Sequence, residues 1–336
     1  MRICLLTNQD LDAVPFVDAE PPCDPRPYLP EATWHVAPLK KSTAVEQVTA
    51  LAGNGFDLFF NLCDGAADDE TTPGIEVVLT LEKLGVPFTG AMSSFYEPSR
   101  EQMKQACRAA GIATPAYLVA HTLADVERAS ANLRFPLFVK HWSSYSSIGL
   151  SRASRVRTPE ELHHEARKVM SRFRAALIEE YVEGLECTVL VAESPSDPTR
   201  PTTYVPIQYG FPDGESFKHE ALKCIDWQDL KSFPVEDPVL AVRLRDEAAK
   251  FFVALGGTGF GRCDVRVDHD GTPFWLEINP QCGVYGPEDF GCAADLILLN
   301  DPGGHEGFTR QIVAAAMARH AGRRGAAARR PGGMPE

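Results

Sequence analysis

Residues 261–283, GRCDVRVDHDGTPFWLEINPQCG, decide the fold. They read as two short strands around Asp270-Gly271, a dipeptide that marks a two-residue hairpin turn. In that register Cys263, Val265 and Val267 oppose Ile278, Leu276 and Phe274, so one surface is wholly apolar. On the other surface Asp264 opposes Glu277 and Arg262 opposes Asn279, because side chains alternate along a strand. Two carboxylates so placed, with carbon atoms roughly 5 Å apart, repel each other in an ordinary ladder. A divalent cation reverses the sign. Asp264, Glu277 and Asn279 offer only hard oxygen ligands, which suit Mg²⁺ bridging nucleotide phosphates. Arg262 beside them is placed to stabilise a developing oxyanion. The plainer alternative is the solvent face of an edge hairpin.

Outward from this hairpin, the chain alternates strands and helices. Residues 2–7 and FDLFFNLC (56–63) are apolar runs bounded by polar turns, as buried strands of an α/β lobe are. GIEVVLTLEKLG (74–85) has helical spacing and ends in Gly, and VPFTGA is expected as a strand after it. SREQMKQACRAAG (99–111) carries Ser99 as N-cap, Gln102 three residues on and Gly111 as stop. FPLFVKHW (135–142) reads as a strand, SSYSSIG (143–149) as a polar loop, TPEELHHEARKVMSRF (158–173) as a capped helix and ALIEEYVEG (176–184) as a strand. Strands dominate from 186 until the helix in 236–256. The last helix is expected over 308–320, with a disordered tail beyond, rich in Gly, Ala, Arg and Pro.

Composition narrows the function. The 336 residues are 44% hydrophobic, enough for two or three cores. A net charge of −13 argues against nucleic acid and anionic membrane as partners, since both require clustered Lys and Arg. Nine cysteines without a C-x-x-C pair suggest reduced thiols rather than a disulfide framework or a zinc cluster. No signal peptide opens the chain, and no segment reaches about 18 apolar residues. The expectation is a cytoplasmic protein acting on small molecules.

The hairpin resembles the metal-binding hairpin of the ATP-grasp superfamily, and further segments resemble its D-alanine:D-alanine ligase branch. In order these are FNLCDG (60–65), LGVPFTGA (84–91), MKQACRAAGIATP (103–115), FPLFVK with SSIG (135–149), LIEEYVEGLECTV (177–189) and the hairpin itself. The order is the specific signal. The resemblance implies an α/β ATP-grasp fold: an N-terminal open lobe over 1–98, a central lid lobe over 99–184 and a C-terminal Mg²⁺/ATP lobe over 185–320, followed by the tail.

The resemblance also implies roles. Asp264, Glu277 and Asn279 hold Mg²⁺, with Mn²⁺ as a substitute, and Lys104 and Lys140 place positive charge on ATP. Ser146 and Ser147 belong to the phosphate loop, Ser146 counting with Arg262 among the catalytic groups. The backbone of Glu180, Tyr181 and Val182 faces adenine, Glu179 lies on the adenine side and Glu186 accepts from the ribose hydroxyls. Lys223 matches another phosphate lysine, with Lys218 as rival. Gly283 and Glu288 fall where substrate binds. The chemistry implied is phosphorylation of a carboxylate to an acyl phosphate and attack by an amine, with a homodimer as the assembly the family suggests.

The chain departs from the family around the substrates. It opens LLTNQDLDAVPFVDAEPP where the family has a glycine-rich loop with a substrate-orienting Glu, leaving Asp10, Asp12 or Glu20 as replacements. The family's His-Gly is Asp64-Gly65 here, and the Ser that receives the acceptor carboxylate is Glu288. A carboxylate facing a carboxylate disfavours D-alanine as acceptor. The expectation is therefore a ligase joining an amino acid or small carboxylate to an amine acceptor other than D-alanine. The alternatives are the D-alanine:D-alanine ligase of cell-wall synthesis, a mycosporine-type specialised-metabolite ligase and a non-catalytic ATP-binding regulator. His305, in DPGGHEGF (301–308), is either a substrate-orienting group or, more simply, a loop residue.

Overall fold

The computed structural model describes residues 1–8, 11, 23–67, 69–143, 149–219, 222, 230–286 and 292–328. The first lobe contains β1 (Arg2–Thr7), β2 (Thr33–Pro38), α1 (Ala44–Ala52), β3 (Leu58–Asn61) and α2 (Ile75–Leu84). Its sheet has the order β2-β1-β3, all parallel. β1 is buried after its first residue and β3 throughout, as a parallel sheet covered on both faces requires. α2 stops at Gly85, whose φ of 64° is the left-handed cap that glycine adopts without strain. The VPFTGA segment, expected as a strand, contributes only one bridge, Phe59 to Phe88.

The middle of the chain forms α3 (Arg100–Ala109), β4 (Tyr117–Ala120), α4 (Leu123–Asn132), β5 (Leu137–His141), β6 (Arg155–Val156), α5 (Pro159–Phe173) and β7 (Ala176–Glu180). Ser99 and Gln102 close the capping box that begins α3. The four strands form a sheet in the order β4-β7-β5-β6. This sheet with α4 and α5 buries a core of its own, containing Val126, Leu137, Val139, Leu162 and Ile178. α3 instead packs on the hairpin and the helix before it, sharing a core with Phe251 and Trp275 through Met103, Ala106 and Cys107.

The remaining elements are β8 (Leu185–Ala192), β9 (Thr202–Thr203), β10 (Ile207–Gly210), β11 (Lys231–Pro234), α6 (Pro238–Ala254), β12 (Phe260–Val267), β13 (Pro273–Pro280), α7 (Ala293–Asn300) and α8 (Gly304–Ala328). The large antiparallel sheet runs β11-β10-β8-β12-β13, with β9 beside β8. One face packs with α6 and the first lobe's helices; Leu190, Ala192 and Phe260 pack with α7 and α8. The first lobe and the large sheet thus share cores, while the lid sheet stands on its own. No helix among the described residues is long and apolar enough to cross a membrane.

Two expectations are corrected here. α8 begins at Gly304 and continues to Ala328, past the expected end at 320. Ala and Arg are strong helix formers, and Arg319 anchors the helix on Glu193 and on the carbonyl of Phe88. The hairpin turn is also longer than two residues. Asp268 N–H donates to Thr272 O, Gly271 N–H donates to Asp268 O, and Gly271 takes φ 74°. This is a three-residue loop closed by a left-handed glycine.

The register then slips between Asp264 and Val265, so Val265 pairs with Trp275 and Val267 with Pro273. Leu276 becomes the extra residue of a β-bulge, and Trp275, fully buried, replaces it in the core. Its indole N–H reaches Glu247 at 2.8 Å, which resolves the cost of burying that donor.

Candidate active site

The polar face of three adjacent strands builds the site. Below the bulge the expected register holds: Asp264 pairs with Glu277 and Arg262 with Asn279. On its other side β12 sets Asp264 opposite Thr188 and Arg266 opposite Glu186 of β8. Asp264 accepts from Arg262 Nη2 at 2.9 Å and Nε at 3.2 Å, from Thr188 Oγ1 at 2.8 Å and from Asn279 Nδ2 at 3.1 Å. Burial alone would raise its pKa, but the charges of Arg262 and Lys218 and these hydrogen bonds hold it well below the usual carboxylate range.

Glu277 is paired with Arg100, from the first turn of α3. Burial works against its charge and is outweighed by Arg100 and Lys140, so its pKa is also lowered. Arg100 was missed in the sequence. It stands four residues before Lys104 on one helix, so the two share a face, and that spacing was the available signal.

Lys140 and Lys104 converge on Glu179. Lys140 Nζ lies 2.5 Å from one carboxylate oxygen and Lys104 Nζ 2.8 Å from the other. Lys104 is 1% exposed and also donates to Thr114 Oγ1 at 3.2 Å, so it lies beneath the strand. Burial is the largest influence on Glu179, yet the two ammonium groups overcome it and draw its pKa down to about 2. Burial lowers Lys140, with Glu179 and Glu277 opposing. Glu179, expected on the adenine side, is here the counter-ion of both lysines.

The residues after β7 are committed to internal bonds. Glu180 N–H donates to Ala116 O and Tyr181 N–H to Pro136 O. The Glu180 carboxylate binds Arg134. Val182 O accepts from Arg266 at 2.6 Å. Glu186, expected to receive ribose hydroxyls, is buried between Arg266 at 2.9 Å and Lys218 at 3.4 Å. Lys218 stacks on Tyr209 at 3.7 Å. Gly283 is exposed in ordinary backbone geometry, and among the described residues a Cβ there would touch only Cys292 Sγ, at 3.7 Å. Ser146, Ser147, Lys223 and Glu288, with Asp10, Asp12 and Glu20, lie outside the described residues.

His305 is no loop residue. It sits in α8, its Nε2 2.7 Å from Asp295 Oδ1, and stacks on Tyr28 at 4.8 Å. Asp295 in turn accepts from the N–H groups of Tyr285 at 2.8 Å and Gly286 at 3.0 Å, fixing the turn after Gly283. Cys263 and Cys282 are buried, and burial raises both thiols, Cys282 to about 12, which suits core residues and not nucleophiles.

The donor set can be tested against a metal ion. Asp264, Glu277 and Asn279 supply two carboxylates and an amide, while no group of three or more His, Cys, Asp or Glu suited to a metal occurs among the described residues. That combination fits Mg²⁺ shared with phosphate oxygens, not an ion caged by protein alone.

Comparison with known proteins shows what the chain is similar to. A family model described as D-ala D-ala ligase C-terminus matches residues 107–286. The D-alanine–D-alanine ligase of Cupriavidus necator is 29% identical over 276 residues, covering 81% of this chain and 79% of the relative. That of Laribacter hongkongensis is 30% identical over 245 residues, covering 72% and 74%. Among solved structures, the D-alanine–D-alanine ligase from Bacillus anthracis complexed with ATP has a TM-score of 0.65 at 17% identity, over 96% of this chain and 99% of that one. The VanG D-Ala:D-Ser ligase from Enterococcus faecalis has a TM-score of 0.61 at 18% identity, over 78% and 73%.

Proposed function

Because this chain belongs to the D-alanine–D-alanine ligase family, we propose that it is an ATP-dependent, ADP-forming ligase that joins two D-alanine molecules. The expectation of a different acceptor is corrected: relatives spanning 81% of the chain are named D-alanine–D-alanine ligases. Glu288, on which that expectation rested, lies outside the described residues.

The observation that carries the reading is the pairing of Asp264 with Glu277, flanked by Arg262 and Asn279, inside the segment that matches the family. In the proposed reaction a carboxylate oxygen of the first D-alanine attacks the terminal phosphorus of ATP, and the bond to ADP breaks. The amine of the second D-alanine, having released its ammonium proton, attacks the acyl carbon. The carbon–oxygen bond to phosphate then breaks, and the attacking nitrogen gives up a second proton that departs with the phosphate, which leaves the amide.

This chain's residues meet the demands of those steps. Asp264, Glu277 and Asn279 would hold Mg²⁺, which screens the phosphate charge when bound. Lys140 and Arg100, both close to Glu277, place cationic charge where one anion must approach another. Arg262, held by Asp264, is oriented for the oxyanion of the second step. Lys104 reinforces Lys140 through the shared Glu179.

The test is ADP release by the purified protein with ATP, Mg²⁺ and D-alanine alone, with the product read by mass. D-alanyl-D-alanine at an ordinary enzymatic rate is the expected result. Release only with other amino acids or amines would sink the proposal.

A further inference from the structure

We propose that Arg266 is a positioning residue for the nucleotide: it locks the crossover between the lid sheet and the large sheet onto the strand that bears Asp264. The inference rests on the proposed function, in which ATP meets both the acids of the large sheet and Lys140 of the lid sheet, and it concerns how this chain sets their relation.

Residues 181–184 join β7 to β8, and they are one of two covalent joints between a lid with its own core and the sheet that carries the acids, the other being the segment between α3 and β4. Arg266 projects from the same face of β12 as Asp264 and Arg262 and is 4% exposed. Its Nε donates to Val182 O at 2.6 Å and its Nη2 to Gly184 O at 3.1 Å. Its Nη1 donates to Glu186 at 2.9 Å and to Ser216 O at 2.9 Å. One guanidinium thus gathers three backbone carbonyls and a carboxylate from three segments of chain.

The aromatic ring of the joint is held as well. Tyr181 stacks against Arg266 at 4.7 Å and against Arg155, from the lid, at 4.4 Å. Its hydroxyl donates to Ser216 O at 2.8 Å. Gly184 completes the fit: at φ 133° a Cβ would lie 2.1 Å from Val267 O, so the crossover touches β12 directly.

A buried apolar residue would fill this volume without the cost of desolvating a charge. What it could not do is hold the carbonyls of Val182 and Gly184 at a fixed distance from Asp264, two residues along the same strand. A planar fork of five donors can. If the phosphates meet the acids of the large sheet and Lys140 of the lid sheet, a nucleotide spans this joint, and its angle determines whether both sides can be reached at once. Arg266 therefore acts on nucleotide affinity through the backbone, without touching the reacting atoms.

The experiment is calorimetric titration of the β,γ-imido analogue of ATP, with Mg²⁺, into wild-type protein, Arg266→Lys and Arg266→Gln, beside steady-state kinetics. Both variants are expected to bind at least tenfold more weakly, with kcat at saturating ATP and KM for D-alanine within threefold of wild type. Arg266→Lys keeps a charge beside Glu186 and carries the test should Arg266→Gln not fold. If Arg266→Lys binds as wild type does, charge alone suffices and the positioning role is overturned. Unchanged affinity with a fallen kcat overturns it too. Wild type that binds no nucleotide overturns the ligase reading and the inference together, whereas wild-type binding with unaltered variants overturns the inference alone.

Discussion

Asp264 and Glu277 face each other across β12 and β13, and each carries its own guanidinium, Arg262 on the first and Arg100 on the second. The guanidiniums outweigh the repulsion between the opposed carboxylates and keep both ionised, ready for a cation. Asp264→Asn preserves the shape of the site and removes one of those charges. ADP release is expected to fall on the order of 10²–10³-fold, with a cooperative melt retained. Full activity in the amide variant would remove Asp264 from the chemistry.

Glu179 offers a prediction on stability. It lies between Lys104 and Lys140, so Glu179→Gln takes from Lys104 the carboxylate it pairs with and leaves Lys140 only the charge of Glu277. A loss of about 3–5 kcal/mol is expected in urea denaturation, the usual cost of breaking a buried pair. An unchanged midpoint would show that solvent reaches both lysines.

The same carboxylate sets a pH dependence. Its folded pKa of about 2 lies well below the ordinary value of a glutamate. The stability it contributes is therefore complete above the unfolded pKa and is lost as pH falls from about 5 towards 2, on the order of 3 kcal/mol in all. Wild type and Glu179→Gln should converge in stability across that window. Parallel curves down to pH 2 would contradict the assignment.

How far the site could be read in the sequence depended on whether its residues were neighbours along the chain. The capping box of Ser99 and Gln102, the helix ends at Gly85 and Thr158 and the opposition of Asp264 to Glu277 are local, and local patterns expressed them. The bulge at Leu276 was hidden because Leu276 and Trp275 are both apolar, and alternation alone cannot say which one the core takes. The union of Lys104, Lys140 and Glu179 joins α3, β5 and β7, and no spacing encodes it. Nothing in the local sequence around Arg266 marks the carbonyls it binds, which come from elsewhere in the chain. The acceptor was misread because one acid, Glu288, was weighed without knowing its direction.

Asp295 supports the last prediction. It holds the N–H groups of Tyr285 and Gly286, and Tyr285 takes φ 70°, a conformation a bulky residue adopts only when its surroundings impose it. His305 secures Asp295 from α8, and Thr309, one helical turn on, meets the Tyr285 hydroxyl at 2.8 Å. This turn follows Gly283, where the family resemblance places substrate. Asp295→Asn cannot accept both N–H groups as strongly, because its charge is gone and one of its two atoms is a donor. The turn should loosen, raising KM for D-alanine about tenfold, the equivalent of ~1.4 kcal/mol, while KM for ATP stays unchanged. Kinetics with each substrate varied at saturating levels of the other measures both constants. A rise confined to ATP, or equal in both, would show that the turn does not shape the amino-acid pocket.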